Sequence, residues 1–406
     1  MVSSGNFATS TTANATRTGL DAEKLMAVAL ARTRRNDFSD YSFVEPLSRL
    51  LASYEDEADL SDFGRRAVHF DVMRCLKNLL RFDAVEDEHP EILVRPIPEP
   101  VFIMGLPRSG TTFLHSLLAQ DPTIVVPLSW QLVYPYPWRM RPFGIDLRKS
   151  WTGLQFRFME YLSPELYDLH PLAADAPQEC TDITAQVFQS LRFDSTYRIP
   201  SYQRWLESHG HHGAYRFHKR FLQHLDAHTP GRRWVLKSPD HIFALDAVKG
   251  VYPDAKIVFL HRDPLSVLAS VAKLTEVLRR PFTRRLDREE IGRQVSLSWI
   301  DGAERMIAAG DGALHLHYKD VVAAPMDAVT RLYEYCGRSL SDDARTRMQE
   351  WLQRAPKGNA RRRDYSFTLF GLDEGDLRRR FSHYMDVFGV APEWGTTGAE
   401  RNIQIV

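Results

Sequence analysis

Short apolar runs alternate with amphipathic stretches over the middle of the chain, and this alternation predicts the fold class. Four runs have the length and composition of buried strands: 101–104, 234–236, 256–260 and 313–318. Apolar residues recur at helical spacing after the first run, between the second and the third, and after the fourth. Buried strands separated by helices predict an α/β fold, in which a parallel sheet is flanked by helices on both faces.

The region before the first strand has a different pattern. Amphipathic spacing recurs at 19–35, 42–52 and 62–82, which predicts helices within an N-terminal region spanning 18–95. Residues 1–17 are rich in Ser, Thr, Ala and Asn and contain no continuous apolar run. We therefore expect a disordered tail there rather than a signal peptide.

We assign the α/β domain to residues 96–390 and a C-terminal tail to 391–406. The segment 123–232 interrupts the alternation of strands and helices, because it has Pro-rich turns, many aromatic residues and mostly helical patterns. We interpret 123–232 as a helical insertion that covers the site as a lid.

Composition and charge narrow the class of protein. Hydrophobic residues make up 44% of the 406 residues, which is enough for a sizeable core, and 52 Lys plus Arg balance 52 Asp plus Glu. A neutral balance gives no support to a nucleic-acid partner. Cys75, Cys180 and Cys336 are far apart and have no metal-ligand spacing, so we expect free thiols and no metal.

No apolar run approaches the roughly 20 residues that a membrane helix needs. We therefore expect no membrane span and a cytoplasmic location, and a homodimer is compatible with the sequence.

The loop after the first strand carries a recognisable chemistry. Gly105 and Gly110 allow a tight turn, and the amides that follow lie at the positive end of a predicted helix, where anions bind. Arg108 adds a guanidinium, and Thr111 and Thr112 add hydroxyl donors. The sequence therefore predicts a site for phosphate or sulfate at this loop.

The glycine spacing is that of a P-loop, so the predicted sheet is P-loop-like, but Thr111 occupies the position of the Walker A lysine. The departure argues against ATP and Mg²⁺ chemistry. A P-loop nucleotide kinase or NTPase remains the alternative from another enzyme class.

The segment Pro107-Arg108-Ser109-Gly110-Thr111-Thr112 resembles the 5′-phosphosulfate loop of the sulfotransferases that use PAPS (3′-phosphoadenosine 5′-phosphosulfate), in particular the bacterial branch with Arg in this loop. In that family, an Arg at a strand end and a Ser eight residues later bind the 3′-phosphate. Arg262 and Ser270 have this spacing. The resemblance implies a protein that transfers a sulfuryl group from PAPS, as co-substrate, to a hydroxyl of a small acceptor.

The resemblance also implies roles for residues further along the chain. Lys237 follows the second strand, where the family places a Lys, and would stabilise the sulfuryl oxygens or the leaving group together with Arg108. A basic segment near the C-terminus closes over the 3′-phosphate in the family. The basic residues here are Arg361, Arg362 and Arg363.

The general base is not fixed by the sequence. His241 lies just past the second strand, Glu179 opens a predicted helix in the insertion, and His170 is a third candidate. Many relatives have Trp-Glu shortly after the first helix, whereas here Trp130 is followed by Gln131. Because Gln cannot accept the proton, an inactive relative that only binds nucleotide is a further alternative.

The acceptor is predicted only as a class. Aromatic residues crowd the first part of the insertion and suit a hydrophobic alcohol or phenol. They are Tyr134, Tyr136, Trp138, Phe143, Trp151, Phe156 and Phe158.

Overall fold

The computed structural model describes residues 20–137, 145–226, 231–310, 312–354 and 367–393. Their centre is a parallel sheet of five strands, in the order β2-β3-β1-β4-β5. The strands are β1 (Val101–Gly105), β2 (Ile124–Val125), β3 (Arg233–Lys237), β4 (Lys256–His261) and β5 (Leu314–His317). After β1 the chain forms β2 and β3 on one side of β1, and it then forms β4 and β5 on the other side. Ligands bind beyond the carboxyl ends of the strands at such a reversal.

Helices surround the sheet on both faces. The N-terminal region contributes α1 (Ala22–Thr33), α2 (Val44–Asp56) and α3 (Asp62–Glu88). The loop after β1 leads into α4 (Thr111–Leu118). The insertion contains α5 (Ser129–Val133), α6 (Arg148–Leu162), α7 (Leu166–Leu169), α8 (Thr181–Thr184), α9 (Arg192–Thr196), α10 (Pro200–His209) and α11 (His212–Asp226).

The remaining helices follow β3, β4 and β5. They are α12 (Leu245–Val251), α13 (Pro264–Arg279), α14 (Arg288–Ala308), α15 (Tyr318–Ala323), α16 (Pro325–Tyr335), α17 (Asp342–Arg354), α18 (Glu374–Arg380) and α19 (Ser382–Phe388). Short 3-10 helices lie at Pro90–Val94, Ala185–Val187, Pro239–Ala244 and Phe367–Phe370.

The fold class read from the sequence is confirmed, and so are the four predicted strands and the three N-terminal helices. The structure adds β2, a strand of only two residues that lies at the start of the segment interpreted as an insertion. The last N-terminal helix continues to Glu88, beyond the predicted end near Asp83. The tail predicted at 1–17 lies outside the described residues.

A hydrophobic layer packs on each face of the sheet, because successive side chains of a strand point to opposite faces. Phe102 and Met104 pack with the N-terminal helices and the insertion. Val101 and Ile103 pack with α4, α16 and α17. The second layer therefore supports the helix that begins at the phosphate loop.

Helix starts near the site have local causes. Asp263 caps α13 by accepting a hydrogen bond from the Leu265 amide at 3.0 Å, and Pro264 fills the first helical position, where no N–H is needed. This cap fixes the chain direction immediately after Arg262, at the carboxyl end of β4.

Candidate active site

The loop between β1 and α4 adopts a backbone that its sequence makes possible. Gly110 has φ of 88°, and a Cβ at this position would lie 2.9 Å from Cδ2 of Tyr318. Arg108 is also left-handed, with φ of 63°, although it is not glycine. The amides at the start of α4 are oriented as donors at the positive end of a helix of eight residues. This geometry is compatible with the predicted anion site.

The side chain of Arg108 is positioned by the insertion. Its Nη1 donates a hydrogen bond to the carbonyl oxygen of Leu169, the last residue of α7, at 2.9 Å. The contact joins this loop to segment 123–232, and it brings His170, the next residue, close to Arg108.

Arg262 lies beside the phosphate loop. The residue is 3% exposed, and its Nη1 donates to the carbonyl oxygen of Arg108 at 2.8 Å. The centre of its guanidinium lies 3.8 Å above the ring of Tyr318, the first residue of α15. The two arginines predicted to bind the two ends of a nucleotide therefore lie at one edge of the sheet, in contact through the backbone of Arg108.

A carboxylate from the C-terminal part of the chain pairs with Arg262. Oε2 of Glu393 accepts hydrogen bonds from Nε and Nη2 of Arg262 at 3.1 and 3.0 Å. The amide of Glu393 donates to Oδ2 of Asp263 at 2.6 Å. Sequence analysis did not identify Glu393, because nothing in the local pattern connects residue 393 with residue 262.

Three buried hydroxyl oxygens near the arginines have no partner within the part of the chain that the structure describes. They are the Oγ atoms of Ser109, in the phosphate loop, and of Ser266 and Ser270, on α13. A buried hydroxyl without a hydrogen bond is costly. Phosphate oxygens would supply the missing acceptors, so the residues present fit a nucleotide with phosphates at both ends.

Lys237, which is buried, and Glu179, which is half-buried, form an ion pair between β3 and the insertion. Nζ of Lys237 lies 2.7 Å from Oε1 of Glu179 and also donates to Oγ1 of Thr112, on α4, at 3.3 Å. The amide of Cys180 donates to the carbonyl oxygen of Lys237 at 3.0 Å, which pins the chain beside Glu179 to the strand end. A cation and a carboxylate are therefore held beside the phosphate loop.

The electrostatics keep Glu179 ionised. Burial acts to raise the pKa of its carboxyl, but Lys237 and His170 outweigh burial, so the pKa lies below the usual 4.5. Burial lowers the pKa of His170, and Glu179 opposes this shift. The ionised carboxylate and the imidazole are thus both able to accept a proton at neutral pH.

His115, which sequence analysis missed, lies on α4 behind the ion pair. Its Nε2 lies 3.0 Å from the carbonyl oxygen of Val235, so Nε2 must donate and Nδ1 must carry a lone pair. Burial and the Lys237 charge lower the pKa of His115 to about 3. The signal in the sequence was its spacing, because residue 115 is three positions after Thr112 on the same helix face.

His241 lies in a different environment from Lys237. Its ring packs edge-on against Phe102 at 4.9 Å, and Nδ1 is hydrogen-bonded to the hydroxyl of Tyr215 at 2.5 Å. Phe102 faces the insertion side of the sheet, whereas Lys237 reaches α4 on the other side. Burial holds the pKa of His241 well below 6.5. Among the described hydrogen bonds, none joins His241 to Lys237 or Glu179.

The side chain of Gln131 makes a local contact at the start of α5. Its Oε1 accepts the amide hydrogen of Leu128 at 3.0 Å and caps the start of α5, while Trp130 packs under the guanidinium of Arg148. The role of Gln131 in this structure is therefore local.

The aromatic residues of the insertion are divided between interior and surface. Tyr134 is buried, whereas Trp151 and Phe158 are 43% and 49% exposed. Trp138, Phe143 and the basic residues Arg361, Arg362 and Arg363 lie outside the described residues.

The described ranges contain no group of three or more His, Cys, Asp or Glu side chains that could hold a metal ion. No helix within those ranges is long and apolar enough to cross a membrane.

Comparison with known proteins identifies the class. The profile of the Sulfotransferase family matches residues 100–342, which include the phosphate loop, Lys237, Arg262 and Ser270. The chain therefore belongs to the sulfotransferase family.

Solved structures of mycobacterial members resemble the whole fold. Sulfotransferase STF9 from Mycobacterium avium has a TM-score of 0.82, with 28% identity over 94% of this chain and 100% of that chain. Sulfotransferase STF1 from Mycobacterium tuberculosis has a TM-score of 0.78, with 30% identity over 89% of this chain and 98% of that chain.

A curated relative is the omega-hydroxy-beta-dihydromenaquinone-9 sulfotransferase Stf3 of Mycobacterium tuberculosis. It is 26% identical over 253 residues, which are 59% of this chain and 62% of that relative. The alignment thus spans less than two thirds of the relative's length.

Proposed function

We propose that this protein transfers the sulfuryl group of PAPS to a hydroxyl of a small hydrophobic acceptor, giving a sulfate ester and adenosine 3′,5′-bisphosphate. The observation that carries the proposal is the arrangement at the sheet edge. Arg262 contacts the backbone of Arg108, and the Lys237–Glu179 pair lies beside the same loop.

The residues have separate roles in binding the donor. The loop from Pro107 to Thr112 would hold the 5′-phosphosulfate, because its amides and the Arg108 guanidinium are donors only. Arg262 and Ser270 would hold the 3′-phosphate, with Arg361, Arg362 and Arg363 contributing from the C-terminal segment. The unpartnered hydroxyls of Ser109 and Ser270 support this division.

The chemical step is a displacement at sulfur. Glu179 takes the proton of the acceptor hydroxyl as the new oxygen–sulfur bond forms. The bond between sulfur and the bridging oxygen breaks, and Arg108 and Lys237 stabilise the negative charge on the leaving oxygen. Before the acceptor binds, Lys237 and Glu179 neutralise one another across 2.7 Å.

Glu179 is favoured over His241 as the base by position. Its carboxylate contacts Lys237, which in turn contacts the phosphate loop, whereas His241 is bonded to Tyr215 beneath the other face of the sheet. His170 lies next to the residue that holds Arg108, and it is the second candidate.

The acceptor is proposed as a hydrophobic alcohol or phenol that binds against the insertion 123–232. The name of Stf3 describes a hydroxylated dihydromenaquinone. Buried free thiols at Cys75, Cys180 and Cys336 support a reducing, cytoplasmic location.

A direct assay tests the proposal. Radiolabelled PAPS is incubated with the protein and a panel of hydrophobic alcohols and phenols, and products are identified by mass spectrometry. We expect sulfate esters with the native chain and none with Arg108→Ala. Exposed Arg305, paired with Asp301 on the surface of α14, gives the matched control Arg305→Ala, which should remain active.

Measurements of nucleotide binding distinguish the proposed function from its alternatives. A sulfotransferase should bind adenosine 3′,5′-bisphosphate without magnesium and more tightly than ATP, whereas a kinase or NTPase should prefer ATP with magnesium. Tight binding of the bisphosphate without transfer to any acceptor would instead identify an inactive nucleotide-binding relative.

A further inference from the structure

A cavity of about 560 Å³ lies near the edge of the sheet where the strands begin. Its walls include residues 93–96, which precede β1, and Gly250 and Val251, at the end of α12 and before β4. Because the strands are parallel, this edge is opposite the carboxyl ends that carry the phosphate loop and Arg262. The cavity is therefore separate from the candidate active site, and its volume is in the range of small-molecule sites.

One face of α11 forms a wall of the cavity. Four residues of this helix that line the cavity follow one another at steps of four, three and four, so they lie on one side of the helix. They are His212, Arg216, Lys219 and Gln223. Phe217 and Phe221, on the opposite side of the helix, are buried in the core. The polar side of an amphipathic helix thus faces the cavity.

The permanent cations of the cavity are not neutralised by the protein. Arg95, Arg216 and Lys219 form no ion pair with a carboxylate among the described residues. Arg220, the next residue of α11, gives the contrast, because its Nε pairs with Oε1 of Glu86 at 2.5 Å. The cations that line the cavity therefore differ from their neighbour in having their donors available to a ligand.

Carboxylates lie near the cavity but do not line it. The lining within the described ranges contains no Asp or Glu. Oδ2 of Asp246 lies 3.8 Å from Nδ1 of His212. Burial raises the pKa of Asp226 and Arg95 opposes this shift, but the Asp226 carboxylate accepts a hydrogen bond from Nε1 of Trp234 at 3.3 Å. The lining itself thus keeps an excess of positive charge.

Apolar side chains lie beside these cations. Leu93 and Val94 are 43% and 81% exposed, and Val251 also lines the cavity. Nε2 of Gln223 donates hydrogen bonds to the carbonyl oxygens of Leu93 and Arg95 at 2.7 and 2.9 Å. These bonds fix the segment to α11, so the cavity is formed in advance and presents an apolar surface next to a cationic one.

We propose that this cavity binds a phosphate or sulfate monoester with a small apolar body. The oxyanion would accept hydrogen bonds from Arg95, Arg216 and Lys219, whose side chains are donors only. Such a head group has an oxygen for each of the three cations, whereas a carboxylate has only two. The apolar body would lie against Leu93 and Val94. The binding does not depend on the proposed function, although a sulfate ester formed at the active site would belong to the same class of ligand.

Isothermal titration calorimetry of the full chain with hexyl phosphate and hexyl sulfate tests the binding. We expect both esters to bind and hexanol, which lacks the oxyanion, not to bind. Arg216→Ala/Lys219→Ala should lower the affinity for the esters by at least about tenfold, as expected for two lost ion pairs in a partly solvated site. The matched control Arg347→Ala/Arg354→Ala removes two cations from the surface of α17 and should bind like the native chain.

A further pair of variants locates the bound ester. Arg108→Ala, which alters the phosphate loop, should keep the affinity for hexyl phosphate. Arg216→Lys/Lys219→Arg, which retains both charges, should bind far better than the alanine variant does. Far-UV circular dichroism and the midpoint of urea unfolding verify that each variant is folded, and Arg216→Gln/Lys219→Gln replaces the alanine variant if that variant unfolds.

The two parts of the ligand are tested separately. Leu93→Ser/Val94→Ser should weaken the binding of hexyl phosphate by about five- to tenfold and leave that of methyl phosphate unchanged, because only the hexyl chain reaches these side chains. Tighter binding of hexyl sulfate than of hexyl phosphate would support the sulfate ester product as the source of the ligand. The reverse order would support a phosphate monoester formed elsewhere.

Several outcomes would overturn the inference. Neither ester could bind, or hexanol could bind as tightly as the esters do. The variant Arg216→Ala/Lys219→Ala could keep the native affinity. Binding could instead be lost in Arg108→Ala alone, which would place the ester at the phosphate loop. None of these titrations requires turnover, so a native chain that sulfates no acceptor would refute the proposed function and leave this test intact.

Discussion

The pairing of Glu393 with Arg262 leads to a prediction about nucleotide affinity. If Arg262 binds the 3′-phosphate, the Glu393 carboxylate competes with that phosphate for the same Nε and Nη2 donors. We therefore expect Glu393→Ala to bind adenosine 3′,5′-bisphosphate more tightly than the native chain. Glu393→Gln, which keeps an acceptor but loses the charge, should give a smaller gain.

The magnitude follows from the geometry of the pair. Hydrogen bonds to charged groups contribute about 1.5–3 kcal/mol when buried. The side chain of Glu393 is 27% exposed, while that of Arg262 is 3% exposed. Solvent screening of the carboxylate reduces the contribution to about 1–2 kcal/mol, which corresponds to about a 5- to 30-fold change in affinity.

Isothermal titration calorimetry measures the effect, and adenosine 5′-phosphate serves as the ligand without a 3′-phosphate. The gain should be confined to the bisphosphate. The control variant Glu350→Ala removes a carboxylate that pairs with Arg354 on α17 and should change neither affinity. Equal gains for both nucleotides, or no gain for either, would refute the assignment of Arg262 to the 3′-phosphate.

Three further predictions concern the loop and the ion pair. Glu179→Gln should lower kcat by about 10²- to 10⁴-fold, as expected for a lost general base, with little change in bisphosphate affinity; a native rate would exclude the role. Gly110→Ala should lower the free energy of unfolding in urea by about 1–3 kcal/mol, because φ is 88° and Tyr318 is 2.9 Å from the new Cβ. Burial raises the pKa of Asp240 from 3.8 to about 7. The folded protein therefore binds a proton that the unfolded chain releases, and the free energy of unfolding falls as the pH rises through this range. Asp240→Asn should reduce that fall in urea titrations at both ends of the range, whereas an undiminished fall would assign it to other groups.

The features that the sequence predicted well are local ones. The loop from Gly105 to Thr112 could be read because its turn, its donors and the helix that follows are all encoded within eight residues. The spacing of Arg262 and Ser270 is also local, because both belong to one strand–helix unit. The parallel sheet could be predicted because the apolar runs of its longer strands are long enough to be recognised as buried strands.

The features that the sequence could not predict depend on which face of the sheet a side chain meets. His241 is four residues after Lys237, yet its ring packs on Phe102 while Lys237 reaches Thr112. Local periodicity does not show this difference, because His241 lies within the 3-10 helix Pro239–Ala244, which begins two residues after the end of the strand.

Other omissions have a similar cause. β2 was missed because two residues are too few to show an alternation. Glu393 was missed because its contact spans 131 residues of sequence. Tyr318 could have been noticed, since it directly follows β5 at the ligand-binding edge of the sheet.

The hydrogen bond from Arg262 to the carbonyl oxygen of Arg108 has a consequence for donor selection. The guanidinium of Arg262 supports the left-handed turn of the loop through Nη1, while its Nε and Nη2, bonded here to Glu393, are the donors of the proposed second anion site. A phosphate bound at that second site would hold Arg262 more rigidly. The loop would then bind a sulfuryl donor most tightly when the nucleotide carries both its 5′ and its 3′ groups. Selectivity against donors that lack the 3′-phosphate would then depend on the backbone conformation of the loop. Single substitutions of the residues that contact the nucleotide would therefore not introduce this selectivity into another protein.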